Sequence, residues 1–278
     1  MKKNAKSLLV AVAVCTVLSV CVGLVVSSAA NSSGSCGKNA TYSFSEETLT
    51  VSGSGDMNSY SENTVPWAAY RDRIKKVVVS DGITSVGYNA FSGSAELAEV
   101  SLPSSVTSVG RFAFANCPKL SKITLPSGLK KLGSHAFLNC SSLTSVAVPE
   151  GVVSLSPSVF DGCSSLSSVT LPTSLKTVGA SAFEDCTALT VLAVPDNVET
   201  LGAYAFAGCT SLSSLRLHSA AKNFGDSLFD GCSSSLVVTC PKGSAADAFC
   251  ASLNITVSHE GLSEGGTDPD PGEWNPWF

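Results

Sequence analysis

Phe91, Phe114, Phe137, Phe160, Phe183, Phe206 and Phe229 stand 23 residues apart, and no insertion or deletion breaks the count. Pro103, Pro126, Pro149, Pro172 and Pro195 keep the same interval; His218 takes the next place and Pro241 resumes the series. Leu97, Leu120, Leu143, Leu166, Leu189 and Leu212 form a third series. Cys117, Cys140, Cys163, Cys186, Cys209 and Cys232 form a fourth. Strict self-similarity at such a period is the mark of a solenoid, whose units cannot bury their apolar faces alone and must stack.

Within one unit, LSKITLP (Leu120 to Pro126) alternates apolar Leu120, Ile123 and Leu125 with polar neighbours, which predicts a short strand with one buried face. Pro126 lacks an N–H and ends the ladder. GLKKLG then brings Leu129 and Leu132 inward and turns at Gly133. SHAFLNC offers one helical or 3-10 turn that tucks Ala136, Phe137 and Cys140 under the strand. Eight strand-like segments, from Ile74 to Cys240, stacked about 4.8 Å apart, would span roughly 35 Å. The predicted class is an α/β repeat solenoid with 23-residue units, one parallel sheet, short helical or 3-10 turns opposite, and a cap at each end.

The flanks do not repeat. Residues 1–30 carry basic Lys2, Lys3 and Lys6, an uncharged apolar run from Leu8 to Val26, and small Ser28 and Ala30 before a cut at Asn31. That is the layout of a secretory signal peptide. The apolar run also approaches bilayer-spanning length, so an uncut anchor is the alternative. Residues 31–73 hold two alternating runs, ATYSF and TLTVSG, which predict a β-hairpin cap, with Trp67 and Tyr70 placed to cover the first coil. The solenoid runs over 74–234, a capping strand and helix over 235–258, and a Gly/Pro/Asp-rich tail over 259–278.

Only 14% of the residues are charged, against about 25% in a typical domain. Removing Lys2, Lys3 and Lys6 lowers the basic count from 17 to 14 against 22 acidic residues, so the net charge moves from −5 to −8. A chain of that balance is a poor ligand for a phosphate backbone, and no nucleic-acid partner is expected.

The six-cysteine ladder invites a metal or a redox reading. Zinc needs four ligands around one point, which a straight row of inward thiols does not provide. Parallel Cα–Cβ vectors hold neighbouring Cβ atoms about a strand spacing apart, wider than the roughly 3.8 Å of a bridge. The ladder is therefore assigned to packing, as small apolar groups with a weak S–H donor. Cys240 and Cys250 would staple the C-terminal cap if bridged, or pack there as thiols; Cys36 is left over. His135, His218 and His259 are the only histidines, and none sits in a metal-ligand pair or beside a nucleophile elbow. No catalytic residue, cofactor or metal site is assigned.

The unit LxxIxLPxxLxxLGxxAFxxCxx resembles the BspA-like (Treponema-type) leucine-rich repeats of bacterial and protozoan surface proteins. GITSVG (Gly82 to Gly87) and SLTSVAVPEGVVSL (Ser142 to Leu155) carry the likeness, which covers about Ile74 to Leu253. The piece from Gly37 to Trp67 is similar to the hairpin that often precedes such repeats. The resemblance implies a secreted or surface-attached protein that binds host proteins, matrix components or other cells, and it supplies no catalytic residues. The C-terminal stretch shows no sorting signal or second hydrophobic anchor, so membrane contact is expected only through an uncut N-terminal segment.

The letters that vary point outward. On the strands these places are small and hydroxylated, as in Ser121, Lys122 and Thr124 or Ser213, Ser214 and Arg216. Glu99, Lys122, Thr124 and Arg216 are the candidate partner-binding residues of this face. Phe112 and Tyr204, with Phe224, occupy otherwise small or aliphatic places; grouped at one edge they would form an adhesive patch. Two functions fit: adhesion or recognition of an extracellular protein or glycan, or a passive spacer of the cell envelope with a merely soluble surface.

Overall fold

The computed structural model describes residues 32–61 and 64–259. The signal segment, with its cut or uncut alternatives, and the tail with Trp274, Trp277 and Phe278 lie outside the described residues.

At the N-terminal end β1 (Ser32–Ser35), β2 (Gly37–Ser45) and β3 (Thr48–Met57) form an antiparallel meander. The long third strand then acts as a template for two rows. Thr48–Val51 pairs in parallel with β4 (Lys76–Val79), while Gly55 and Asp56 pair with β5 (Ile83–Val86). The first row continues through Glu99–Ser101, Lys122–Ile123, Ser145–Ala147 and Ser168–Thr170. It resumes in Val191–Ala193, Ser214–Arg216 and Val237–Cys240. The second row runs through Ser108–Val109 and Lys131–Leu132, then Ser154–Leu155, Thr177–Val178, Thr200–Leu201 and Asn223–Phe224. Repeat partners sit at equivalent places, as in Glu99 beside Lys122 and Thr177 beside Thr200. This second row adds to the one sheet predicted: it is the GLKKLG segment, drawn out between its two inward leucines.

The third side of each coil is a run of turns. Bonds of the i→i−3 kind, such as Ala136 N to Gly133 O (3.2 Å) and Cys140 N to Phe137 O (3.1 Å), alternate with bonds to the next coil. Phe114 N donates to Ala136 O at 2.9 Å and Phe137 N to Val159 O at 3.0 Å. The backbone polar groups of this side are thus satisfied partly within and partly between coils.

Between the three sides lies the phenylalanine column. Successive rings from Phe91 to Phe229 are 5.4–6.0 Å apart and 4–17° from parallel. Trp67 heads the column, stacked 5.5 Å from Phe91, with its indole N–H donating to Ala90 O at 3.0 Å. Phe249 closes the other end, tilted at 6.4 Å from Phe229. It also stacks 4.5 Å from Phe224. Phe224 is therefore part of the C-terminal cap packing, which accounts for an aromatic at that place.

The cysteine ladder lines the same interior. Each thiol donates to the carbonyl of the phenylalanine in the preceding coil: Cys117 to Phe91, Cys140 to Phe114 and Cys163 to Phe137, all at 3.2 Å. Cys186, Cys209 and Cys232 repeat the bond at 3.1–3.3 Å. Burial pushes Cys117, Cys163 and Cys209 up to about 12 from the usual 9.0. Cys240 and Cys250 are buried thiols rather than a bridge. Cys36 is buried in the N-terminal cap, and burial pushes it up to about 11.

The C-terminal cap is α1 (Ala245–Ser252) followed by the strand Thr256–His259, which pairs in parallel with Val237–Cys240. Ser244 caps the helix by accepting from Asp247 N at 3.2 Å. The Asp247 carboxylate accepts from Gly243 N at 2.8 Å and meets His259 Nε2 at 3.0 Å, which ties helix to strand.

Candidate functional site

Two backbone positions in every coil are left-handed. The first lies two residues after each phenylalanine and holds Gly93, Asn116, Asn139, Gly162, Asp185, Gly208 and Gly231, with φ between 55° and 72°. Only Gly, Asn and Asp stand there, the residues that enter this region at least cost. The second lies two residues before each phenylalanine, with φ between 53° and 59°. It holds Asn89, Phe112, His135, Ser158, Ser181, Tyr204 and Ser227. The conformation is the same, but apart from Asn89 and His135 the letters are not the ones it favours. An aromatic residue at positive φ is a genuine outlier.

The second position forms a corner row along one edge of the solenoid. Its N–H groups bond the next coil, as in Phe112 N to Ser134 O (3.1 Å) and Tyr204 N to Asp226 O (3.0 Å), so the array imposes the strained backbone. Here the structure brings residues together that the sequence analysis kept apart. Phe112 stacks on His135 of the next coil at 4.5 Å, 29° from parallel. The Arg111 guanidinium lies over the Phe112 ring, 4.7 Å from its centre. Tyr88, 49% exposed, lies against Gly110, where any Cβ would meet its ring. Burial, then the Arg111 charge, holds the His135 imidazole below its ordinary value. Its Nδ1 is buried without a hydrogen-bond partner. A neutral imidazole stacked on a half-buried phenyl beside a guanidinium is a surface suited to flat apolar or aromatic groups.

Tyr204 occupies the same row at the far end of the solenoid and is 46% exposed. It lies four coils from Phe112, about 19 Å away at strand spacing. The sequence alone gives His135 no site role. It shares one repeat position with Phe112, 23 residues before it, and both letters carry rings.

The other candidate residues lie on the first strand row. Glu99 is exposed and pairs with Lys76 at 2.7 Å, so its carboxylate is already engaged. Lys122 stands beside it in register, exposed, and none of the ion pairs among the described residues engages it. Thr124 is exposed on the same face. Arg216 is half-buried between Ala193 and Thr239 on neighbouring coils. The row thus offers Lys122 and Thr124 at one end and Arg216 several coils away. It does not gather the four into one cluster.

The histidines serve structure elsewhere: His218, in the place of a strand-ending proline, meets Asp196 at 2.8 Å, and His259 meets Asp247. Among the described residues no group of three or more His, Cys, Asp or Glu is arranged to hold a metal ion. Nor is any helix among them long and apolar enough to cross a membrane.

The chain matches the family model of the BspA type leucine rich repeat region in six copies, over residues 68–190 and 154–256. Among solved structures it is similar to a leucine-rich repeat protein of T. pallidum at 29% identity, covering 81% of this chain and 97% of that one, with a TM-score of 0.57. It is also similar to a leucine-rich cell surface protein of Faecalibacterium prausnitzii at 18% identity, covering 84% and 96%, with a TM-score of 0.46. No curated protein matches it.

Proposed function

Because the chain belongs to the BspA-type leucine-rich repeat family, we propose that it is a secreted or cell-surface recognition protein that binds extracellular protein or glycan partners and catalyses no reaction. The observation that carries this reading is the corner row. Phe112 and Tyr204 occupy left-handed positions that other coils fill with Ser, Asn or His, at a backbone cost of about 1–2 kcal/mol each. Neither ring belongs to the phenylalanine column, so the core gives no reason for them. A passive spacer needs no such residues. An adhesive edge does, and strain of this kind clusters where a ligand is met.

The first strand row extends the edge into a broader surface, with Lys122, Thr124 and Arg216 as its adjustable groups and Glu99 released only if the Lys76 pair opens. Every coil contributes one such row of outward residues, which is how solenoids tune an extended contact. The test is a binding screen of the full chain against extracellular-matrix proteins and mucin glycans. Two variants accompany it, Phe112→Ser/Tyr204→Ser and Lys122→Ala/Arg216→Ala. Binding lost in the first variant at unchanged melting temperature supports the corner; loss in the second alone moves the contact to the strand row. A screen without any binding, with the fold intact, overturns recognition in favour of the spacer.

A further inference from the structure

The second strand row carries a pattern that neither the core nor the corner explains. Lys130, Lys176 and Lys222 recur at 46-residue intervals, one residue before the row-two strand of every second coil. Backbone bonds fix their register: Lys130 N donates to Thr107 O (2.8 Å), Lys176 N to Val153 O (2.9 Å) and Lys222 N to Glu199 O (3.0 Å). All three are exposed, as is Lys131 beside the first. The intervening coils place Val153 and Glu199 at the same position.

Apart from Lys122, the lysines of the first row and of the turns that lead into it are paired. Lys75, Lys76 and Lys119 each close an ion pair with a glutamate at 2.6–2.9 Å. On the second row none of the ion pairs among the described residues engages Lys130, Lys131 or Lys222. Lys176 reaches Glu199 only at 3.7 Å, with both side chains more than half exposed. In a chain of net charge −5, a line of four lysines on one face is a local reversal of sign. Such a line attracts a polyanion.

Spacing selects among polyanions. Two coils advance by about 10 Å. An extended acidic peptide presents side chains on one face every 6–7 Å or so and cannot hold that register. A pyranose ring in an extended polysaccharide advances by about one coil, so a chain with one charged sugar per disaccharide repeats its charge every two coils. The geometry points to a linear acidic polysaccharide, bearing one carboxylate or sulfate per disaccharide, bound along Lys130, Lys176 and Lys222. Lys131 supplies a further cation at one end, and exposed Val153 meets an uncharged ring between the first two. Glu199 opposes the ligand and limits its affinity. This site goes beyond the recognition edge proposed above and lies on a different face.

The test is a titration of the full chain at low ionic strength with hyaluronan fragments, whose charge is carboxylate, and keratan sulfate, whose charge is sulfate. Uncharged dextran and poly-glutamate serve as controls. Binding of either acidic polysaccharide, weakened by salt, supports the proposal, and the better of the two identifies the anion. Lys130→Gln/Lys176→Gln/Lys222→Gln lowers the affinity roughly tenfold or more, while Glu199→Gln raises it about two- to threefold. Val153→Lys/Lys176→Val keeps the net charge but breaks the alternation, and it loses most of the binding. Phe112→Ser/Tyr204→Ser leaves this binding unchanged, which separates failure here from failure of the recognition edge. No binding by either polysaccharide, equal affinity for poly-glutamate, or undiminished binding by the triple or the rearranged variant overturns the proposal.

Discussion

The inner wall and the corner beside it follow opposite rules. Inside, each phenylalanine meets the same neighbours in every coil, and each ladder thiol donates to the same carbonyl. One residue type therefore solves each position, and the chain repeats it in every coil but the first, where Ser94 stands in the place of the thiol. At the corner the backbone also repeats, with φ within a few degrees from coil to coil, yet the residue changes from Asn to Phe, His, Ser and Tyr. The row two residues after each phenylalanine is the control. It has the same handedness and accepts only Gly, Asn or Asp. Left-handed geometry alone thus restricts the letters, and the corner ignores the restriction. What the corner carries is set by something other than the fold.

The strongest way to break this contrast is to remove a member of the column. Phe160 is fully buried, with Phe137 and Phe183 each 5.6 Å away. Phe160→Ala should cost about 3–5 kcal/mol, since neighbouring coils are held by hydrogen bonds on three sides and cannot close the gap. Thermal unfolding measures this directly. An unchanged melting temperature would mean that the column is not the core, and the inner rule would have no physical basis.

Alkaline pH probes the same wall through the thiols. Burial raises the folded values of Cys117, Cys163 and Cys209 from 9.0 to about 12, so the native state holds protons that the unfolded chain releases. The sign follows: stability is fully present below about pH 9 and falls as pH rises towards 12, by up to about 1.4 kcal/mol per unit for each such thiol. Urea unfolding at pH 8, 9 and 10 should show a midpoint that drops between the last two. The drop should shrink in Cys163→Ala. A midpoint independent of pH over that range would place the ladder in contact with water.

Much of this contrast is legible in the letters themselves. The column, the proline stops and the outward strand places follow from a fixed period and from alternation, because buried neighbours one coil away are identical. The second row of strands escapes because Lys131–Leu132 or Thr177–Val178 is two residues long, too short to display a period of two. The first left-handed row is visible as an unbroken Gly/Asn/Asp series, Gly93 to Gly231, once φ is known to matter there. At the candidate site Phe112 and Tyr204 stand out as large letters in a small series. The stack of Phe112 on His135, and the place of Arg111 over it, depend on how closely coils approach at the corner. That distance is a property of the packed array, and no local stretch of sequence encodes it.

The smallest effect is the most telling about the corner. If Tyr204 is held against its conformational preference for the sake of a partner, then Tyr204→Asn should relieve strain. Asn enters the left-handed region readily, already stands at the equivalent Asn89, and leaves the Asp226 backbone bond untouched. With its ring 46% exposed, Tyr204 has little packing to lose. The variant should be more stable by about 0.5–1 kcal/mol, read as a higher urea midpoint, while any partner that contacts this end binds it more weakly. A stability gain with reduced binding is the signature of a residue kept for contact. A stability loss would show instead that the ring supports its own coil, and the corner would then obey the same rule as the wall.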